Sequence, residues 1–138
     1  MTVATNPIVV TEVTGPARMD FLPKLFTGQA FLLGEHVVFG WMRQLCQAYN
    51  GGYWQYFEAS NGAMFMAPQR DEKMHLAWAQ NWSDELVSGQ AAGIVATLFG
   101  LCQLVEEYRD EGMVERYHLL RDFAATHPEW KSIYRLID

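Results

Sequence analysis

The sequence predicts an α+β fold, and three observations carry that prediction. Apolar residues follow a helical period up to about Tyr49, switch to an aromatic-rich alternation at Tyr53, and return to the helical period after Ser88. Turn signals punctuate the switch at Asn50-Gly51-Gly52 and Ser60-Asn61-Gly62. The chain has 138 residues, 50% of them hydrophobic and 19% charged, which is enough apolar material for one core and excludes disorder as the main state. The expected architecture is a small antiparallel meander of three to four strands, with one helix before it and about three after it. The expected organisation is an N-terminal arm over residues 1–17 and a single domain over residues 18–138.

Residues 1–16 are rich in Thr and Val and end at Gly15-Pro16, so they read as a loose or edge-strand arm. Asp20-Phe21-Leu22-Pro23 starts a short helical turn. Thr27-Gly28 then caps a longer helix reaching about Tyr49, in which Ala30, Leu33, Val37, Trp41, Leu45 and Ala48 form one stripe. The segment Tyr53 to Glu58 favours a strand, and Asn61-Gly62 accepts the positive φ of a tight hairpin. The segment Ala63 to Ala67 returns, Pro68 ends it, and a third strand runs from Met74 to Gln80. Glu85-Leu86-Val87 adds a short fourth.

Ser88 caps the next helix, whose Gly89, Gly93 and Gly100 cost propensity and make sense where another element packs unusually close. A second helix spans about Glu111 to Ala125. Thr126-His127-Pro128-Glu129 has the pattern of a capping box ahead of the last helix.

Charge and motif content exclude several functions. Ten Lys and Arg against sixteen Asp and Glu give a net charge of −6, so strong nucleic-acid binding through a cationic surface is disfavoured. Cys46 and Cys102 form neither a disulfide framework nor a metal knuckle, and both read as small hydrophobes in apolar runs. His36, His75, His118 and His127 are scattered, so no metal pair is expected. Phosphate-binding loops, dinucleotide fingerprints and zinc-protease motifs are absent. The N-terminus lacks the features of a signal peptide, and the apolar stretch from Ala91 to Val105 is short for a membrane span. The expectation is a cytoplasmic, non-enzymatic protein without cofactor or metal.

Three groups of residues remain as candidates. Glu35 sits among Phe31, Leu32, Val38 and Phe39 and wants a cationic or N–H partner, for which Arg18 is available. That pair either pins the arm or forms a binding pair. The aromatic cluster includes Tyr53, Trp54, Tyr56, Phe57, Phe65, Trp78 and Trp82, with Trp54 and Tyr56 facing one side of their strand and Tyr53 and Phe57 the other. Helices or the N-terminal arm cover both faces, or one face leaves Trp and Tyr exposed for interaction. The acidic run is Glu106, Glu107, Asp110, Glu111 and Glu115, in a second half that carries seven basic and twelve acidic groups against three and four in the first. It is a solvated face whose Asp110 and Glu111 open the next helix, or an acidic contact surface.

Several ordered motifs together resemble the ArdB/KlcA antirestriction family. They are Gly51-Gly52-Tyr53-Trp54, Ser60-Asn61-Gly62, Met66-Ala67-Pro68 and Ala91-Ala92-Gly93-Ile94. Arg18 with the segment Phe21 to Phe26, and the segment Arg116 to Arg121 ahead of His127-Pro128, are similar too. Family members typically follow Asn-Gly with another Gly and an aromatic pair, whereas this chain has Ala63-Met64-Phe65. The resemblance implies a small α+β protein of mobile elements that relieves type I restriction of incoming DNA without catalysis, by protein contact with the host restriction–modification system or an intermediary. It implies an interaction surface of Arg18, Glu35 and Trp54, with Tyr56 and Asp138 as further members, on a monomer or weak homodimer. Two alternatives stand beside it: a partial DNA mimic acting through residues 106–115, and a small-ligand protein or hydrolase using the aromatic cluster as its pocket.

Overall fold

The computed structural model describes residues 7–138, so the first six residues of the expected arm lie outside the described part. Among the described residues are five strands: β1 (Val10–Val13), β2 (Trp54–Ala59), β3 (Met64–Pro68), β4 (Met74–Trp78) and β5 (Ser83–Val87). Five α-helices accompany them: α1 (Arg18–Leu25), α2 (Gly34–Leu45), α3 (Gly89–Tyr108), α4 (Glu111–Ala124) and α5 (Trp130–Ile137). The α+β class is as expected, with all strands antiparallel.

The strands divide between two sheets instead of forming one meander. One sheet has the order β1-β2-β3, and the other is the hairpin β4-β5. The arm supplies β1, which pairs along β2 with Val10 opposite Ala59 and Val13 opposite Tyr56. The division has a local cause at the far edge of β3. There the Thr97 hydroxyl of α3 accepts from the Met66 N–H at 3.3 Å and donates to the Met66 carbonyl at 3.2 Å. A backbone edge satisfied in this way offers no ladder to β4. A Cβ on Gly93 would run into Ala67 and the Met66 carbonyl, so the glycine permits this close approach.

The three-stranded sheet is covered on both faces. Trp54, Tyr56 and Met66 turn toward α1 and α2, where Phe21 stacks on Tyr56 at 4.4 Å and Phe39 meets Trp54 at 5.0 Å. Phe57, Phe65 and Ala67 turn the other way, and Phe65 stacks against Phe123 of α4. α3 is long and apolar enough to cross a membrane, but 67% of its most apolar window is buried inside the protein, as befits a core helix.

Helix boundaries also depart from the expected ones. The long helix from Thr27 is a 3₁₀ turn (Gly28–Leu32) followed by α2, which ends at Leu45. Thr27 does not cap it, because its hydroxyl donates to Asp110 Oδ1 at 2.5 Å. Ending α2 early lets Tyr49 fold back to accept the Trp54 indole N–H at 2.8 Å. Ser88 caps α3 as expected, accepting from the Ala91 N–H. The capping box at Thr126 and Glu129 does not form. Thr126 donates to the Phe123 carbonyl, and the Glu129 carboxylate accepts from both the N–H and the hydroxyl of Ser88, tying the start of α5 to the start of α3.

Candidate functional site

Arg18, the first residue of α1, reaches across to β2. Its Nη2 donates to the Trp54 carbonyl at 3.2 Å, and its guanidinium carbon lies 4.1 Å from the Tyr56 ring centroid and 5.0 Å from that of Tyr53. Such cation–π contacts gain strength as water is excluded. Nη1 is buried without a hydrogen-bond partner. The Tyr56 hydroxyl donates to Glu35 Oε2 at 3.0 Å. Glu35 occupies the first turn of α2, where the helix dipole favours a carboxylate. Burial, reinforced by the hydrogen bond to Glu35 and its charge, pushes the Tyr56 phenol up to about 12.

Four of the five expected surface residues therefore gather, with two corrections to how they were expected to act. Arg18 and Glu35 are not an ion pair; among the described residues Arg121 pairs with Asp138 and Arg135 with Glu85, while His75 Nε2 meets Asp84 Oδ1. Tyr56 joins Arg18 to Glu35 instead. Trp54 is 5% exposed, packed on Phe39 with its N–H on Tyr49, so the indole supports the cluster from inside and presents nothing to solvent. Tyr56, 8% exposed, is buried as well. The helices α1 and α2 supply the cover. The fifth residue, Asp138, lies apart, held by Arg121 Nη2 at 2.8 Å.

Of the aromatic cluster, Trp82 in the β4–β5 turn is 91% exposed but stands away from this corner, and the aromatic residue that meets solvent beside the half-buried Arg18 is Tyr53, 54% exposed. Alternation assigned it to the side opposite Trp54 and Tyr56. Gly51 and Gly52, with φ of 98° and 124°, break the strand period just ahead of it, so alternation does not extend back to residue 53. Tyr49 was missed too, and its role depends on a helix stop that periodicity does not mark.

The acidic run divides by role. Asp110 caps α4, accepting from the Met113 N–H as well as from Thr27, and these bonds hold its carboxyl below the usual range. Glu106, Glu107, Glu111 and Glu115 are exposed. Cys46 is buried as expected, whereas Cys102 is exposed. Among the described residues no three His, Cys, Asp or Glu side chains gather to hold a metal ion.

Comparison with known proteins adds the family. A sequence model described as antirestriction protein matches residues 47–138. Antirestriction protein KlcA of Escherichia coli is 42% identical over 137 residues, spanning 96% of both chains. The uncharacterized protein YafX of Escherichia coli K12 is 36% identical over 134 residues, 95% of this chain and 88% of its own. A solved structure superposes with a TM-score of 0.87 at 42% identity, covering 100% of both chains. It comes from work on KlcA and ArdB that describes a novel fold and antirestriction activity against type I DNA restriction systems in vivo but not in vitro. On these matches, the chain belongs to the antirestriction protein family.

Proposed function

We propose that the protein relieves type I restriction of incoming DNA by contacting a protein, with no chemistry of its own. The single observation that carries this reading is the activity described for the KlcA and ArdB structures, present in cells and lost in vitro, in a fold that this chain matches along its whole length. An inhibitor that works through a further cellular component behaves in that way, whereas a catalyst or a direct plug of the restriction enzyme's DNA groove works with purified components.

The contact surface in this reading is Tyr53 with Arg18 and Glu35. Arg18 is fixed by the Trp54 carbonyl and by two aromatic rings, and Glu35 by Tyr56, so both charges are preorganised rather than searching rotamers. Tyr and Arg are the side chains most often found as interface anchors. The test is plating of unmodified phage on cells carrying a type I system. Tyr53→Ala and Arg18→Gln are each expected to reduce protection about tenfold or more, a loss of the size expected for an interface anchor. Thermal unfolding checks that the variants remain folded. Full protection by a folded Tyr53→Ala/Arg18→Gln double variant would remove this surface from the function. Trp54→Ala is uninformative here, since it hollows the core.

A further inference from the structure

We infer that the groove between α3 and α4 is a docking site for an amphipathic basic helix of a partner protein. The groove has a volume of about 240 Å³ and is lined by Cys102, Val105, Val114, Tyr117 and His118. A smaller hollow of about 50 Å³ shares Cys102 and Tyr117 and continues it toward Ile137 of α5. Along α3 the lining runs from Leu98 to Val105. At about 1.5 Å per residue this is a floor about 10 Å long, or two turns of a docked helix.

Charge chooses the occupant. On one bank, Glu106 follows Val105 and is exposed, whereas Glu107 turns with Gln103 toward Trp41 of α2, accepting from Gln103 Nε2 at 3.1 Å. Glu106 is near enough to the Cys102 thiol to help raise its pKa, behind the larger effect of partial burial. On the other bank, Glu111 and Glu115 share the helical face of Val114 and His118 at i, i+3, i+4 and i+7 spacing, and both are exposed. Asp110 is committed to its cap. Arg109 sits at the C-cap of α3 in the left-handed region, and Arg121, which donates to the Tyr117 hydroxyl at 3.2 Å, is paired with Asp138.

An apolar floor between two acidic banks complements a helix with a Leu, Ile or Met stripe flanked by Lys and Arg. A polyanion such as DNA is repelled by the banks, and a duplex protein that reads the acidic run as phosphates would leave the floor unused. The floor therefore separates this assignment from duplex mimicry.

The test uses the full chain and a synthetic peptide of about 18 residues, with Leu at i, i+3, i+4 and i+7 and Lys elsewhere, long enough to form a helix on binding. Saturable binding is expected, with amide shift changes confined to α3 and α4. Because Cys46 is buried and Cys102 exposed, bound peptide is expected to slow alkylation of Cys102 about tenfold at saturation, as a ligand that closes over the thiol must. Val114→Gln and the Glu111→Lys/Glu115→Lys pair are each expected to weaken binding about tenfold, equivalent to the loss of one good contact. A peptide of the same charge with Leu replaced by Ser is expected to leave Cys102 unprotected.

Equal binding of the Ser peptide would reduce the groove to nonspecific charge and overturn the proposal. So would shift changes centred elsewhere, or binding unaffected by Val114→Gln. Sedimentation showing a dimer that Val114→Gln dissociates would assign the groove to a second copy of the chain instead. None of these measurements reads restriction, so their failure leaves the antirestriction proposal standing, and the plating test can fail without touching the groove.

Discussion

Tyr56 is where the charges of the α1–α2–β2 corner meet. Its ring carries the Phe21 stack and the Arg18 guanidinium, and its hydroxyl serves Glu35. With the phenol pushed up to about 12 against an ordinary value of 10.0, the folded state keeps this proton over a range in which the unfolded chain releases it. The stability it contributes is therefore complete below pH 10 and is lost as pH rises toward 12. Burial raises the Tyr134 phenol as well, but spectrophotometric titration is expected to show Tyr56 ionising last, about two pH units late, and Tyr56→Phe should abolish that last step. An unchanged titration curve in Tyr56→Phe would place the late proton elsewhere. The family resemblance grouped Arg18, Glu35, Trp54, Tyr56 and Asp138, and the first four lie together whereas Asp138 lies apart. It did not say which of them water reaches. Two-residue alternation reports the side of a strand a residue occupies, while its exposure depends on what other elements lay over that side. For Trp54 that cover is Phe39, which falls outside the stripe read for its helix and was named only as a neighbour of Glu35.

At the scale of elements, α3 organises the core by coming close. Its glycines were legible as signs of close packing, and Gly93 meets Ala67 and the Met66 carbonyl while Gly100 meets Val38. The same substitution therefore has opposite signs at two helical glycines. Gly93→Ala is expected to cost about 2 kcal/mol or more, because the added methyl overpacks backbone that cannot retreat. Gly40→Ala in α2, where a Cβ meets nothing within 4 Å, is expected to be neutral or to gain up to about 1 kcal/mol from helix propensity. Urea unfolding of the two variants checks both signs. Equal effects would mean that α3 does not press on β3 as described. The division into two sheets was not legible, because Thr97 reads in the sequence as one polar residue in an apolar run. Only its position against the edge of β3 reveals that its hydroxyl occupies both backbone groups of Met66. Glu129 was misread for a related reason. The capping-box pattern is local, whereas its actual partner Ser88 is 41 residues away.

For the whole molecule, the decisive feature is that the three-stranded sheet is an inner layer. The family match begins at residue 47, yet the face of β2 and β3 carrying Trp54, Tyr56 and Met66 is closed by residues from before that point. Phe21, Leu25, Phe26, Val38 and Met42 are all fully or almost fully buried. Each such side chain contributes about 1.5–3 kcal/mol on burial, so losing the set removes about as much as the entire net stability of a domain this size, roughly 5–15 kcal/mol. A fragment of residues 47–138 also lacks β1, which leaves one edge of β2 unpaired and open to association. This fragment is therefore expected to show no cooperative thermal transition, to bind a hydrophobic dye, and to aggregate, while the full chain does none of these at the same concentration. A sharp, reversible unfolding transition in the fragment would mean that α1 and α2 are an addition to a self-sufficient body. Arg18 and Glu35 would then sit on an accessory layer. As the sheet is built, they sit on a layer the core requires, and that is why a surface made from them can be as rigid as the core beneath it.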